Sequence, residues 1–254
     1  MLNPLRTVTL TAALLLPGLS TAADTQIGAK IAQQGTPKGT APCMSCHGPD
    51  GGGIDAAGYP RLAGLDAGHM ARQLRDFRAG KRNNPIMMPM AANLTDAQIE
   101  AVSAYYAGLP IPPGSAEPPS AQAAATAAAL SEWGDWPNRG LPACGQCHGA
   151  DGNGIGSHFP GISGQHASYI KAQLTGWKSG ARANDPMGLM KAVADKLTDE
   201  EIEALAAWYA SRPAGPAVPA ENTPSDMAAA DSGPGKVFTG PVAQQGAPDA
   251  GREP

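Results

Sequence analysis

The chain has 254 residues and a formal net charge of −4; 42% of it is hydrophobic, only 16% is charged, and it holds 32 glycines and 25 prolines. Acidic residues outnumber basic ones by 22 to 18, so there is no cationic surplus to bind a phosphate backbone, and nucleic acid is excluded as a partner. Nothing beyond the first residues is apolar for long enough to span a bilayer.

The N-terminus has a short basic start, Met1 to Arg6, and an apolar run, Thr7 to Leu16. Pro17-Gly18 breaks the run before small residues ending at Ala22 or Ala23. This pattern predicts a cleaved secretory signal peptide over residues 1–23 and a periplasmic protein. A helix is expected over Thr25 to Gln34, followed by a turn-rich stretch through Gly35, Pro37, Gly39 and Pro42.

That stretch leads into CMSCH at Cys43 to His47, and the pattern returns as CGQCH at Cys144 to His148. Together they use every cysteine in the chain. Two thiols three positions apart, followed at once by an imidazole, is the c-type haem attachment pattern. Each thiol adds to one haem vinyl group, and the adjacent histidine is held beneath the iron as its proximal ligand. Two motifs predict two covalent haems, at Cys43, Cys46 and His47 and at Cys144, Cys147 and His148. A zinc half-site, a thioredoxin-like redox pair and a disulfide staple are the competing readings of CxxC. None explains a histidine directly after both pairs. The motif itself is expected to open a loop.

The remainder repeats as well. HGPDGGGI matches HGADGNGI, Tyr59-Pro60 matches Phe159-Pro160, and Leu62 to Gly64 matches Ile162 to Gly164. Asp50 and Asp151 recur in the glycine-rich turns, where local backbone hydrogen bonding is the expected role. Met70, Leu74 and Phe77 form an i, i+4, i+7 stripe matched by Ile170, Leu174 and Trp177. Met70 is read as core, because Ile170 cannot bind iron. Gly80 and Gly180 mark the ends of these helices. Thr95 with Gln98, and Thr198 with Glu201, are capping boxes; Leu94 with Ile99, and Leu197 with Ile202, have staple spacing. The last helices run to about Ala107 and Ala210.

Domain bounds follow: 24–109 for the first unit, 110–120 for a Pro-rich linker, 121–212 for the second unit, and 213–254 for a Pro/Ala-rich tail expected to be disordered. Each unit is small for an independent core, and a buried haem supplies much of the missing apolar surface.

A sixth iron ligand is sought among Met87, Met88 and Met90 in the first unit and Met187 and Met190 in the second. Counted back from the capped helices, Met87 lies seven residues before Leu94 and Met190 seven before Leu197. Counted forward from Arg82 and Arg182, Met87 pairs with Met187 instead. The downstream count is preferred, giving Met87 and Met190 with Met187 as the rival. Thioether ligation raises the potential and suits electron transfer. His69, His158 and His166 have no histidine counterparts and are assigned to surface or loop hydrogen bonding.

These residues resemble the cytochrome c4 family, over roughly residues 25 to 212: CMSCHGPDGGG and CGQCHGADGNG, YPRLAG and FPGISGQH, RQLRDFRAGKR and KAQLTGWKSGAR, LTDAQIEAVSAYY and LTDEEIEALAAWY. The resemblance implies an all-α protein of two tandem class I cytochrome c domains. Each wraps one covalently attached haem c, with His47 and Met87 on the first iron and His148 and Met190 on the second. It also implies a periplasmic electron carrier serving redox protein partners such as a membrane-bound respiratory complex or terminal oxidase, with possible peripheral membrane association. The rivals are an electron-accepting subunit of a periplasmic dehydrogenase and a dihaem oxidase or peroxidase.

Overall fold

The computed structural model describes residues 19–114 and 116–216, with side chains from residue 25. Most of the expected signal peptide and of the expected disordered tail lies outside the described residues. Those that are described form helices and connecting loops, with three isolated β-bridges and no strand among them.

The first half contains α1 (Leu19–Gln34), α2 (Met44–His47), a 3-10 turn (Asp55–Ala57), α3 (Ala67–Arg78), α4 (Met87–Ala92) and α5 (Asp96–Ala107). The second contains α6 (Ala121–Glu132), α7 (Trp136–Arg139), α8 (Cys144–His148), α9 (Ala167–Ser179), α10 (Leu189–Ala194) and α11 (Asp199–Ser211). Helix α1 begins before the expected Thr25 and runs through the expected cleavage point. Both haem motifs form short helices instead of opening a loop.

In each half the terminal helix is the hub: α5 packs on α1 and α3, and α11 on α6 and α9. Gly28 lets α1 and α5 approach closely, since a Cβ there would lie 2.1 Å from the Ala101 carbonyl oxygen. The matching position in α6 is Ala127, which is fully buried. Both capping boxes form as expected. Both staples close over the core, with Leu94, Ile99, Leu197 and Ile202 all buried. Met70 and Ile170 are buried at equivalent places, so Met70 is a core residue.

The described residues of both halves fall in one packed unit. Their interface is polar and nearly two-fold. Arg82 donates to Gln73 and Gln173 Oε1 at 3.0 and 2.7 Å, and Arg182 donates to Gln173 and Gln73 Oε1 at 2.8 and 3.1 Å. Each guanidinium lies over an aromatic ring of its own half, Phe77 at 4.6 Å and Trp177 at 3.9 Å. Stacking offsets part of the cost of burying two like charges. Residues 110–114 and 116–119, in the stretch expected to be a linker, have no regular structure.

Candidate functional site

The two CxxCH segments are built alike. In the first, the amides of Cys46 and His47 both bond to the Cys43 carbonyl, at 3.2 and 3.0 Å. One helical turn therefore brings the thiols to one side and His47 beneath them. The chain then reverses through glycines: Gly53 N donates to His47 O at 2.8 Å, and Gly154 N to His148 O at 2.7 Å. This reversal returns the Tyr59-Pro60 and Phe159-Pro160 segments to the histidines.

His47 Nδ1 lies 2.9 Å from Pro60 O, and His148 Nδ1 lies 2.7 Å from Pro160 O. A carbonyl only accepts, so each Nδ1 carries the proton and each Nε2 keeps a free lone pair, the arrangement of a metal-ligating histidine. Burial lowers the pKa of both rings, partly opposed by the Pro carbonyl bonds, and favours the neutral form that ligation needs.

All four cysteines are free of disulfides and half-buried. Burial pushes the Cys43 thiol up to about 11 and raises Cys144 as well. A thioredoxin-like pair needs a depressed thiol pKa, so the environment argues against that reading. Among the described residues, which include every cysteine and histidine, no three His, Cys, Asp or Glu side chains form a metal-holding group. Zinc across the two pairs is thereby disfavoured. Buried donors without partners, Trp177 Nε1 and Trp208 Nε1, fit a protein completed by a bound group. The residues present fit haem.

The methionine segments become α4 and α10. Ala91 and Ala194, three residues before Leu94 and Leu197, are both fully buried, which is the register of the downstream count. In the second half the extra residues form a turn ending at Gly188, whose φ is 66°. Met187 sits on that turn and is 79% exposed, whereas Met190 packs against the core cluster. Met87 is half-buried at the start of α4, where its amide donates to Asn84 Oδ1 at 2.8 Å.

Of the remaining histidines, His166 and His69 make polar ring contacts. His166 Nε2 lies 2.9 Å from Gly52 O in the other half, and His69 Nδ1 lies 3.4 Å from Arg72 Nη2. Asp50 accepts from the Gly52 amide at 2.9 Å, as expected of a turn residue. Sequence reasoning missed the proline carbonyls, because backbone acceptors leave no residue-type signal. It also missed the crossing bonds of Arg61 and Gln165; the trace was present as Arg61 against Gly161 and Leu65 against Gln165, positions where the copies disagree.

The Cytochrome c family matches residues 26–109 and 142–212. Over 201 residues the chain is 45% identical to a thiosulfate dehydrogenase electron acceptor of Stutzerimonas stutzeri (strain A1501), covering 79% of this chain and 91% of that protein. It is 40% identical to cytochrome c4 of Thiocapsa roseopersicina over 179 residues, 69% of this chain and 90% of that one. Among solved structures, thiosulfate dehydrogenase TsdBA of Marichromatium purpuratum is similar with a TM-score of 0.70 and 48% identity; the match covers 74% of this chain and 40% of that longer chain. The chain belongs to the cytochrome c4 family: it is a dihaem electron carrier of two tandem cytochrome c domains, with two covalently attached haem c groups at Cys43/Cys46 and Cys144/Cys147.

Proposed function

We propose that this protein is the electron-accepting partner of a periplasmic thiosulfate-oxidising dehydrogenase, exported by a signal peptide over residues 1–23. The observation that carries the reading is its 45% identity, along 91% of the relative's length, to a thiosulfate dehydrogenase electron acceptor. Identity to the cytochrome c4 of Thiocapsa roseopersicina is lower, at 40%. Domain bounds of 24–109 and 121–212, joined by the 110–120 linker, go with this assignment.

His47 and Met87 are assigned to the first iron, His148 and Met190 to the second. Supporting this are the Nδ1-to-carbonyl bonds of both histidines and the packing of Met190 against the core beside an exposed Met187. When bound, each haem supplies a one-electron ferric/ferrous couple, which His/Met ligation biases towards the ferrous form. The chain holds the proximal imidazoles neutral and oriented, and offers two thioethers from the short helices α4 and α10. Two one-electron sites match the two electrons released when a pair of thiosulfate anions is joined through an S–S bond.

Delivery to a terminal oxidase is the second reading, favoured by the cytochrome c4 relatives. The test is purification from the source without tags, followed by addition of thiosulfate to the co-purifying fraction. Rapid reduction of both haems by that fraction, and no reduction of the isolated chain, is the expected result. Isolation of the chain free of any dehydrogenase, together with fast oxidation by oxidase-containing membranes, would replace this assignment with the oxidase one.

A further inference from the structure

The peptide unit joining Pro60 to Arg61 is hydrogen-bonded at both of its ends. Its carbonyl takes the His47 Nδ1 proton at 2.9 Å. Its amide donates to Gln165 Oε1, also at 2.9 Å. Gln165 belongs to the other half of the molecule and is only 4% exposed. It is held in place from several directions: its Nε2 donates back to Arg61 O at 3.0 Å, and its Oε1 also accepts from the His166 amide at 3.0 Å. The Arg61 side chain fixes the same crossing, with Nε donating to Gly164 O at 3.1 Å and Nη2 to Ser163 O at 3.0 Å.

We infer that Gln165 is a positioning residue for the first haem site, acting from the second half through the Pro60–Arg61 peptide on the proximal His47. The inference rests on the reading of His47 as an iron ligand. A peptide whose amide donates to an acceptor carries more negative charge on its oxygen, and bonds in such a chain reinforce one another. The Pro60 carbonyl therefore pulls harder on the His47 Nδ1 proton than it would without Gln165. A more strongly drawn proton makes the ring a better electron donor to its metal. Greater donation favours the ferric state and lowers the potential of that haem.

The device is built into one half only. His148 Nδ1 bonds to Pro160 O at 2.7 Å, and the matching peptide joins Pro160 to Gly161. The position that would answer it from the first half is Leu65, an aliphatic side chain without an acceptor, packed against its own core. The second site is thus set by its own half, and the first also by contact between halves. Anything that loosens the interface alters the first haem selectively.

The test uses the full-length holoprotein. Proton NMR of the reduced form follows the His47 Nδ1 proton, and a potentiometric titration resolved by haem-methyl resonances follows each haem. Gln165→Leu is expected to move the Nδ1 resonance upfield and to shift the first haem's reduction equilibrium several-fold towards ferrous, leaving the second unchanged. Gln165→Glu keeps an acceptor oxygen but loses the Nε2 donor, and is expected to hold or deepen the bond. An unchanged Nδ1 resonance and potential in Gln165→Leu overturns the inference. So does an equal shift of both haems, or Gln165→Glu behaving as Gln165→Leu, since the Arg61 carbonyl bond would then be the cause. Lack of paramagnetic shifts on the His47 ring in the oxidised protein removes the ligand assignment and the inference together, and so is distinguished from failure of the relay alone.

Discussion

Arg139 and Glu201 form a two-armed ion pair, with Nη1 to Oε2 and Nη2 to Oε1 each at 2.9 Å. Glu201 is also the capping-box residue of α11, its Oε2 accepting from the Thr198 amide at 2.9 Å. It thus ties α7, which leads into the second haem motif, to the start of the hub helix. The equivalent residue in the first half is Gln98, which caps without a charge.

Glu201→Gln keeps the cap and removes the ion pair, and is expected to cost about 1 kcal/mol, the upper end for a well-aligned pair near the surface. Thermal unfolding at neutral pH checks the size. The pH dependence checks the cause: the Arg139 guanidinium holds the Glu201 carboxyl below its ordinary 4.5. A folded pKa below the unfolded one means the stabilisation is fully present above 4.5 and is lost as pH falls through the folded value. The gap between wild type and Glu201→Gln should therefore close on acidification.

If Met87 and Met190 ligate the irons as proposed, Met190→Ala removes one of two methionine-to-iron charge-transfer bands of the oxidised protein, and Met187→Ala leaves both. An exposed side chain on a turn can be truncated at little cost, whereas Met190 contributes to the core cluster. Absorbance and magnetic circular dichroism of the two variants decide between the two registers.

Gly154→Ala should disturb the second haem site far more than a surface glycine would. Its φ is +90°, and a Cβ would stand 2.5 Å from Gly161 N and 2.8 Å from Phe159 O. Backbone strain alone costs about 1–3 kcal/mol, and the clash pushes away the segment whose Pro160 carbonyl holds His148. Reduced haem content at the second motif is the expected outcome, read by mass spectrometry of the intact protein. Gly58→Ala is the control: its φ of +73° carries similar strain, but a Cβ there meets nothing within 4 Å.

Arg82→Ala and Arg182→Ala are each expected to destabilise by about 1 kcal/mol, because each truncation removes two hydrogen bonds to the half-buried Gln73 and Gln173 while the other guanidinium still donates to both. The double variant should lose more than the sum. The two cations share both acceptors, and Arg82 repels Arg182, whose pKa is brought down to about 9 mainly by burial and then by that repulsion. Denaturant unfolding of all four proteins gives the coupling directly.

Much of this protein is decided locally and can be read from residue order. The cysteine spacing defines the attachment sites, since thioether chemistry needs two thiols and an imidazole within one helical turn. Thr95–Gln98 and Thr198–Glu201 define where the hub helices start, because capping is a contact between residues three apart. Counting from those caps also gives the register in which Met190, not the exposed Met187, stands where Met87 stands in the first half, the register shared by buried Ala91 and Ala194. The haem motifs were misread as opening loops because a four- or five-residue helix has no periodicity to detect.

What tertiary structure alone decided is the joining of the halves. A repeated sequence says that two units exist, but nothing local says which faces meet. The crossing of Arg82 and Arg182 over Gln73 and Gln173, and the approach of Gln165 to the Pro60–Arg61 peptide, link residues about a hundred positions apart. Their pairing is fixed by packing geometry and by the need of buried polar groups to find partners, conditions that exist only once both halves have folded.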